Sequence, residues 1–140
     1  MLKNLFKSEE TKALESVVKI LEKRGHENIR ARLQGYKTPQ NVVNKTSGLS
    51  FSPEITSMKN EKLRIFTIVT KKNLNLKETP EKLALFAEFT SQNDAIFHVV
   101  FLPELFAAVK QKLEGLNISA SLWDISKKDS EALPLDRDSS

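Results

Sequence analysis

The sequence predicts an α/β fold: a three-layer αβα sandwich around a mixed central sheet, with the element order αβββαβαβ. Three segments carry apolar residues at helical spacing, and several segments between them alternate apolar and polar residues as half-buried strands do. Residues 95–102 are apolar at almost every position, which is typical of a central strand covered on both faces. The helix–strand–helix–strand order of the second half predicts a parallel, right-handed crossover.

The first half combines one helix with an antiparallel meander. Ser8 is a capping residue, acidic side chains occupy the first turn, and Gly25 suits the position after the last turn. The following apolar–polar alternation predicts a strand with a basic outer face. The predicted segments are a helix at 9–24, a strand at 29–34, a short strand at Val42–Val43, a loop at 45–53, and strands at 55–58 and 63–70.

The second half has clear start and stop signals. Thr79-Pro80-Glu81 offers a capping hydroxyl, a proline at the first helical position and an acid in the first turn. Pro103 ends the apolar strand, and Gly115 ends the last helix. The predicted segments are a helix from 79 to about 93, a strand at 95–102, a helix over about 105–115 and a strand at 118–123.

Length and composition indicate one globular domain, residues 1–126, followed by a flexible polar tail, 127–140. The absence of cysteine excludes a disulfide framework, a thiolate zinc site and a cysteine nucleophile. The N-terminus lacks the features of a secretory signal, and the longest apolar run is far shorter than a membrane span. These observations predict a cytoplasmic protein with no membrane association.

The positive charge is concentrated in the first third of the chain. Residues 1–45 carry ten Lys/Arg against five Glu, a net of +5, whereas the whole chain carries +4. An aromatic residue within a basic segment is one pattern of nucleic-acid binding, and a solvated helix with an edge strand is the alternative. The candidate nucleic-acid-binding residues are Arg30, Arg32, Tyr36, Lys37, Lys71 and Lys72.

Several short motifs carry a resemblance to a known fold. They are Gly25-His26-Glu27-Asn28-Ile29, Pro53-Glu54-Ile55, the strand 65–70, the helix start Thr79-Pro80-Glu81-Lys82-Leu83, and Phe97-His98-Val99-Val100-Phe101-Leu102-Pro103. In this order they resemble the restriction-endonuclease-like, PD-(D/E)xK core, as found in a group of small uncharacterised bacterial and archaeal proteins. The resemblance covers about residues 10–125. It implies a metal-dependent nuclease site, with one acid in the Pro-Asp strand and an acid and a lysine two residues apart on the next strand.

The motif is degenerate in this chain. Glu54 keeps a carboxylate at the first position, whereas Thr67 and Val69 stand where the second acid and its lysine partner belong. One carboxylate with a hydroxyl is a poor site for Mg²⁺, which prefers several oxygen ligands. The sequence therefore predicts no catalytic residue and no metal ligand except Glu54. The only literal acid-x-Lys, Glu10-Thr11-Lys12, belongs to a helix start.

Three further residues have structural interpretations. His98 lies in the apolar strand and is predicted to be a core residue with a hydrogen-bonded ring. His26 follows a helix C-terminus, where a positive imidazole is favourable, and plain exposure is the alternative. Phe51 lies in the predicted loop; packing is its simplest role, and stacking on a base or contact with a partner is the alternative.

The sequence therefore favours a non-catalytic nuclease-like module without a cofactor, which binds a protein partner, a second copy as a homodimer, or nucleic acid. The alternative is a divergent nuclease that uses Mg²⁺ or Mn²⁺, Glu54 and carboxylates of the first helix such as Glu15 or Glu22. A small-molecule-binding domain is a third class, which requires an apolar pocket with convergent polar groups.

Overall fold

The computed structural model describes residues 8–125, which form a mixed α/β structure. The four helices of this part are α1 (Glu9–Lys23), α2 (Lys71–Leu74), α3 (Thr79–Gln92) and α4 (Phe106–Gly115), with a short 3₁₀ helix at Pro103–Leu105. Its seven strands are β1 (Glu27–Ala31), β2 (Val42–Val43), β3 (Ser50–Phe51), β4 (Ile55–Lys59), β5 (Lys62–Val69), β6 (Ile96–Phe101) and β7 (Ser121–Asp124). The predicted tail, 127–140, lies outside the described residues.

Five strands form one mixed sheet in the order β1-β4-β5-β6-β7. The pairs β1–β4 and β4–β5 are antiparallel, whereas β5–β6 and β6–β7 are parallel. The predicted meander and the predicted parallel pairing of the second half are therefore both present. The strand 96–101 is central and buried at every position, as its apolar run predicts.

Strand alternation sorts the core residues into two groups. Phe66 and Ile68 of β5 share one apolar cluster with α1, whereas Ile65 and Val69 share another with α3 and α4. Helix α1 contributes its whole apolar stripe to the first cluster: Ala13, Leu14, Val17, Val18, Ile20 and Leu21. Because adjacent strand residues point to opposite faces, the sheet is buried on both sides.

The segment 45–53, predicted to be a loop, contains β3, which pairs with β2 in a small second sheet. The Asn44 side-chain oxygen accepts hydrogen bonds from the Thr46 and Ser47 N–H groups and organises the turn between these strands. The Ser, Thr and Gly residues that indicated a loop therefore form the turn of a hairpin. Phe51 lies in β3 and packs partly buried against the second cluster, which confirms its structural interpretation.

The boundaries differ at several places: β1 begins at Glu27 and not at residue 29, β7 begins at Ser121 and not at residue 118, and α2 is not among the predicted segments. The first strand ends at Ala31 and not at residue 34, because the chain turns back and the Ala31 N–H donates to the Lys37 carbonyl. The Thr79 hydroxyl does not cap α3: it donates to the Asn73 carbonyl at 2.6 Å, and Glu78 occupies the cap position. Within residues 8–125, no helix is long and apolar enough to cross a bilayer.

Candidate functional site

The candidate site lies at one end of the five-stranded sheet, where β5 and β6 have their carboxyl ends and β4 begins. Glu54 immediately precedes β4, and its carbonyl accepts a hydrogen bond from the Arg32 N–H at 3.2 Å. The pairing of Ile55 with Phe66 places Glu54 beside Thr67 of β5. In open α/β sheets this end is where ligands bind, so the degenerate motif lies where a site is expected.

The buried carboxylate of Glu54 forms an ion pair with Lys82. The Lys82 ammonium donates to Glu54 Oε2 at 2.5 Å, and the two side chains are 19% and 2% exposed. Lys82 extends from the first turn of α3, above the Phe86 ring. The other carboxylate oxygen, Oε1, is buried and has no hydrogen-bond partner within residues 8–125.

A second carboxylate, that of Glu10 in the first turn of α1, belongs to the same charge cluster. Burial raises its pKa, and repulsion by Glu54 raises it further, while Lys82, Arg32 and Lys72 lower it. The cluster thus joins two acids from α1 and the start of β4 to three cations from separate parts of the chain. The sequence suggested Glu15 or Glu22 for a carboxylate from α1, but Glu10 is the residue that interacts with Glu54.

The neighbouring strand, β5, supplies no carboxylate to this charge cluster. Thr67 and Val69 are both buried, and Val69 packs in the second apolar cluster. Over residues 8–125 there is no group of three or more His, Cys, Asp or Glu side chains with the spacing of a metal site. Glu54 already pairs with an ammonium, and Thr67 and Glu10 add one hydroxyl and one carboxylate, so this donor set fits Mg²⁺ poorly, because Mg²⁺ needs several oxygen ligands.

The structure brings only some of the predicted nucleic-acid-binding residues together. Arg32 and Lys72 both act on Glu10 and therefore lie at the candidate site, with Lys71 exposed at the start of α2. Arg30 lines a separate cleft on the sheet, and Lys37 is exposed in the turn that follows β1.

Tyr36 is half-buried against α1. Its hydroxyl donates to Glu22 Oε2 at 2.5 Å, and its ring packs against the cluster that contains α1. This hydrogen bond raises the pKa of the tyrosine hydroxyl. The aromatic residue that suggested base stacking is therefore bound to α1.

A cleft of about 470 Å³ separates the start of α1 from the ends of β5 and β6. Its lining includes Lys12, Ser16, Val69, Thr70 and Leu102. Lys12 is the lysine of the only acid-x-Lys sequence in the chain. Lys12 is therefore a second cationic side chain from the N-terminal third, besides Arg32, at this end of the sheet.

The two histidines lie away from the carboxylates, toward the other end of α1. His98 is buried and stacks on Phe66 with 4.5 Å between ring centroids, so its core position is confirmed. The predicted hydrogen-bonded ring is wrong: neither ring nitrogen has a partner within residues 8–125, because aromatic rings surround it. Burial, together with Arg64, lowers the pKa of His98 to about 3.

His26 also differs from its predicted role. Its Nδ1 forms a 2.8 Å hydrogen bond with the buried Ser57 hydroxyl. Burial lowers the pKa of this histidine to about 4, and Arg64, Lys59 and Arg24 lower it in the same direction. The imidazole is therefore neutral at pH 7, and not the positive group expected at a helix C-terminus.

Sequence reasoning missed Lys82 and Glu10 as members of the site. Lys82 follows the recognised helix start, but no spacing relates a residue on α3 to Glu54, 28 positions earlier. Glu10 is part of the acid-x-Lys sequence that was assigned to the first turn of a helix. The acid-x-Lys sequence is the feature that could have identified Glu10 as a candidate site residue.

Comparisons with known proteins find no matching family model, no matching curated protein and no matching solved structure. The restriction-endonuclease-like resemblance therefore stays a prediction.

Proposed function

We propose that this protein is a non-catalytic binding module, built on a restriction-endonuclease-like three-layer core, and that it binds nucleic acid at the end of the sheet that holds Glu54. The element order supports this core, as do the apolar clusters on opposite faces of the sheet. The position of Glu54 beside Thr67 matches the two strands that carry the acids in that fold.

The ion pair between Glu54 and Lys82 is the observation that carries the proposal. In an active site of this kind the carboxylate would bind a hard cation together with a second acid. Here an ammonium group lies on Oε2, and the β5 positions hold Thr67 and Val69. A divalent cation at this carboxylate would meet the positive charge of Lys82. Binding without hydrolysis is the function that this arrangement supports.

The surrounding cations support nucleic acid as the partner. Arg32, Lys72 and Lys82 come from three parts of the chain and act on one carboxylate, that of Glu10. Arg32 and Lys72 are exposed, and the Arg32 guanidinium also donates to the Ser52 carbonyl at 2.7 Å, which orients it. Positioned arginine and lysine side chains at a sheet end are suited to backbone phosphates.

Fluorescence anisotropy with labelled single- and double-stranded oligonucleotides tests this proposal. Binding should weaken between about 50 and 200 mM salt, because phosphate contacts release counterions. Arg32→Gln and Lys72→Gln should each weaken binding. Each should also make the slope of log K against log salt concentration shallower by about one. Lys19→Gln is the matched control, since Lys19 is exposed on α1 about 13 Å along the helix from Glu10. Variants that bind like the control would contradict the proposed surface.

A second candidate is a divergent metal-dependent nuclease. The buried Oε1 of Glu54 without a partner and the adjacent carboxylate of Glu10 favour it. Incubation of the same oligonucleotides with Mg²⁺ or Mn²⁺ separates the two candidates. Cleavage that Glu54→Ala abolishes would establish the nuclease and refute the non-catalytic module.

A further inference from the structure

A second cleft, of about 280 Å³, lies on the sheet face that carries Ile65, between the sheet and the elements β2 and α3. Its apolar lining comes from Val42, Pro53, Met58, Leu63, Ile65 and Phe89. Its polar lining comes from Asn28, Arg30, Gln40, Asn41 and Thr56. An apolar cleft with a few convergent polar groups is the usual form of a small-molecule site.

The polar side chains of this cleft are not used by the fold. Within residues 8–125, the side chains of Asn28, Arg30, Gln40, Asn41 and Thr56 make no hydrogen bond or ion pair. Arg30 is the one formally charged group in the lining, and it is partly buried. A partly buried guanidinium without a carboxylate partner favours an anionic ligand, because a bidentate anion satisfies its planar donors.

The backbone of β1 is irregular where it borders the cleft. The pairing with β4 shifts by one residue between Glu27 and Arg30, which is a β-bulge. Asn28 lies in this bulge with a φ of 51°, a left-handed conformation that asparagine adopts more readily than most residues. Bulges redirect side chains and are frequent next to binding sites. This irregularity is independent of the unpaired polar groups and concerns the same cleft.

We propose that this cleft binds a small organic anion, with an apolar body against Ile65 and Phe89 and one carboxylate or phosphate group on Arg30. The amide groups of Asn28 and Asn41 at the rim supply further hydrogen bonds. A nucleic-acid backbone fits this cleft less well, because a polyanion needs a row of cations and the lining holds one. The inference does not rest on the proposed nucleic-acid function, which uses Arg32 and Lys72.

Amide chemical shifts in ¹H–¹⁵N spectra of the ¹⁵N-labelled protein test the proposal with four probes at millimolar concentration. Benzoate and phenyl phosphate carry the two anionic groups, benzamide is the neutral analogue, and benzylammonium carries the opposite charge. Benzoate, phenyl phosphate or both should shift the amides of Asn28, Arg30, Asn41 and Thr56, and the stronger of the two identifies the anionic group. Benzamide should bind roughly tenfold more weakly, because its neutral carbonyl replaces a charged carboxylate and its NH2 group cannot accept from the guanidinium.

Substitutions of Arg30 test whether this residue supplies the positive charge that binds the anion. Arg30→Gln should weaken anion binding roughly tenfold. Arg30→Lys keeps the charge without the planar fork and provides the test should the first variant not fold. Lys19→Gln removes an exposed positive charge of α1 outside both sites; it is the control and should leave anion binding unchanged. The proposal would be overturned if neither anion shifted these amides, or if benzylammonium shifted them as much as the anions do. It would also be overturned if the Arg30 variants bound the anions as tightly as the wild-type protein.

Discussion

At the scale of single residues, the ion pair between Glu54 and Lys82 neutralises a carboxylate that is almost completely buried. Glu54 is the candidate carboxylate because Pro53-Glu54-Ile55 resembles the Pro-Asp position of the restriction-endonuclease-like motif. Its burial and its ion pair with Lys82 depend on how α3 packs against the sheet, which is a tertiary contact without a local pattern. Arg30 and Arg32 illustrate the same difficulty, because their shared alternation does not show that Arg30 lines a cleft on the sheet and that Arg32 acts on Glu10.

Removal of Lys82 should destabilise the fold, because it leaves the Glu54 carboxylate buried without a counter-ion. We expect Lys82→Met to lower the free energy of unfolding by about 3 kcal/mol, the lower end for a buried pair, since Lys82 is 19% exposed. Urea unfolding measures this, with Lys77→Met as the control because Lys77 is an exposed lysine just before α3.

The double variant separates charge from packing in that experiment. Adding Glu54→Gln to Lys82→Met removes the unpaired charge and should restore part of the lost stability. A loss in Lys82→Met no greater than in Lys77→Met, or no recovery in the double variant, would show that the ion pair does not neutralise Glu54.

At the scale of elements, periodicity identified the three long helices, the meander and the central strand. Among the short elements, the pair Val42–Val43 predicts β2, whereas β3 is two residues long and gains its stability from a turn and from packing. Helix α2 likewise has four residues, and side-chain hydrogen bonds at its ends hold it in place. Sequence patterns are too short at such elements to outweigh the composition of a loop.

Asn73 is the centre of the connection that carries Lys72. Its side chain accepts from the Thr70 N–H at 2.9 Å and donates to the Ile68 carbonyl at 2.9 Å, while its backbone carbonyl accepts from the Thr79 hydroxyl. Asn73→Ala should cost about 2 kcal/mol, because two hydrogen bonds are lost and partly buried groups stay unpaired.

Thermal or urea unfolding of Asn73→Ala measures that cost, and Asn75→Ala is the control because Asn75 is exposed two residues further on. The same substitution should weaken oligonucleotide binding if Lys72 contacts phosphate. Equal stability of the two variants would mean that the side-chain hydrogen bonds of Asn73 do not hold α2.

The whole molecule should lose stability in acid because of its two neutral histidines. In the folded chain the pKa values are about 3 for His98 and about 4 for His26, against an ordinary value of 6.5. Their contribution is complete above pH 6.5 and is lost as the pH falls toward the folded pKa values, since only the unfolded state takes up the protons. Each histidine should contribute a slope of roughly 1 kcal/mol per pH unit in that window.

His98→Phe isolates one of these contributions, because it keeps an aromatic ring beside Phe66 and removes the titrating group. The free energy of unfolding, measured between about pH 7 and pH 4.5, should depend less steeply on pH in this variant than in the wild type. Other titrating groups are common to both proteins and cancel in the difference. Parallel curves would show that His98 is accessible to protons in the folded chain.

The most direct test of the central interpretation is a Mn²⁺ titration of the ¹⁵N-labelled protein, followed by paramagnetic broadening of its amide signals. The Glu54 carboxylate already forms an ion pair with Lys82, and β5 provides no second acid. We therefore expect no saturable broadening of the amide signals centred on Glu54, Thr67 and Glu10. Such broadening, removed by Glu54→Ala, would show that the carboxylates bind a divalent cation in preference to the ammonium. It would contradict the non-catalytic module.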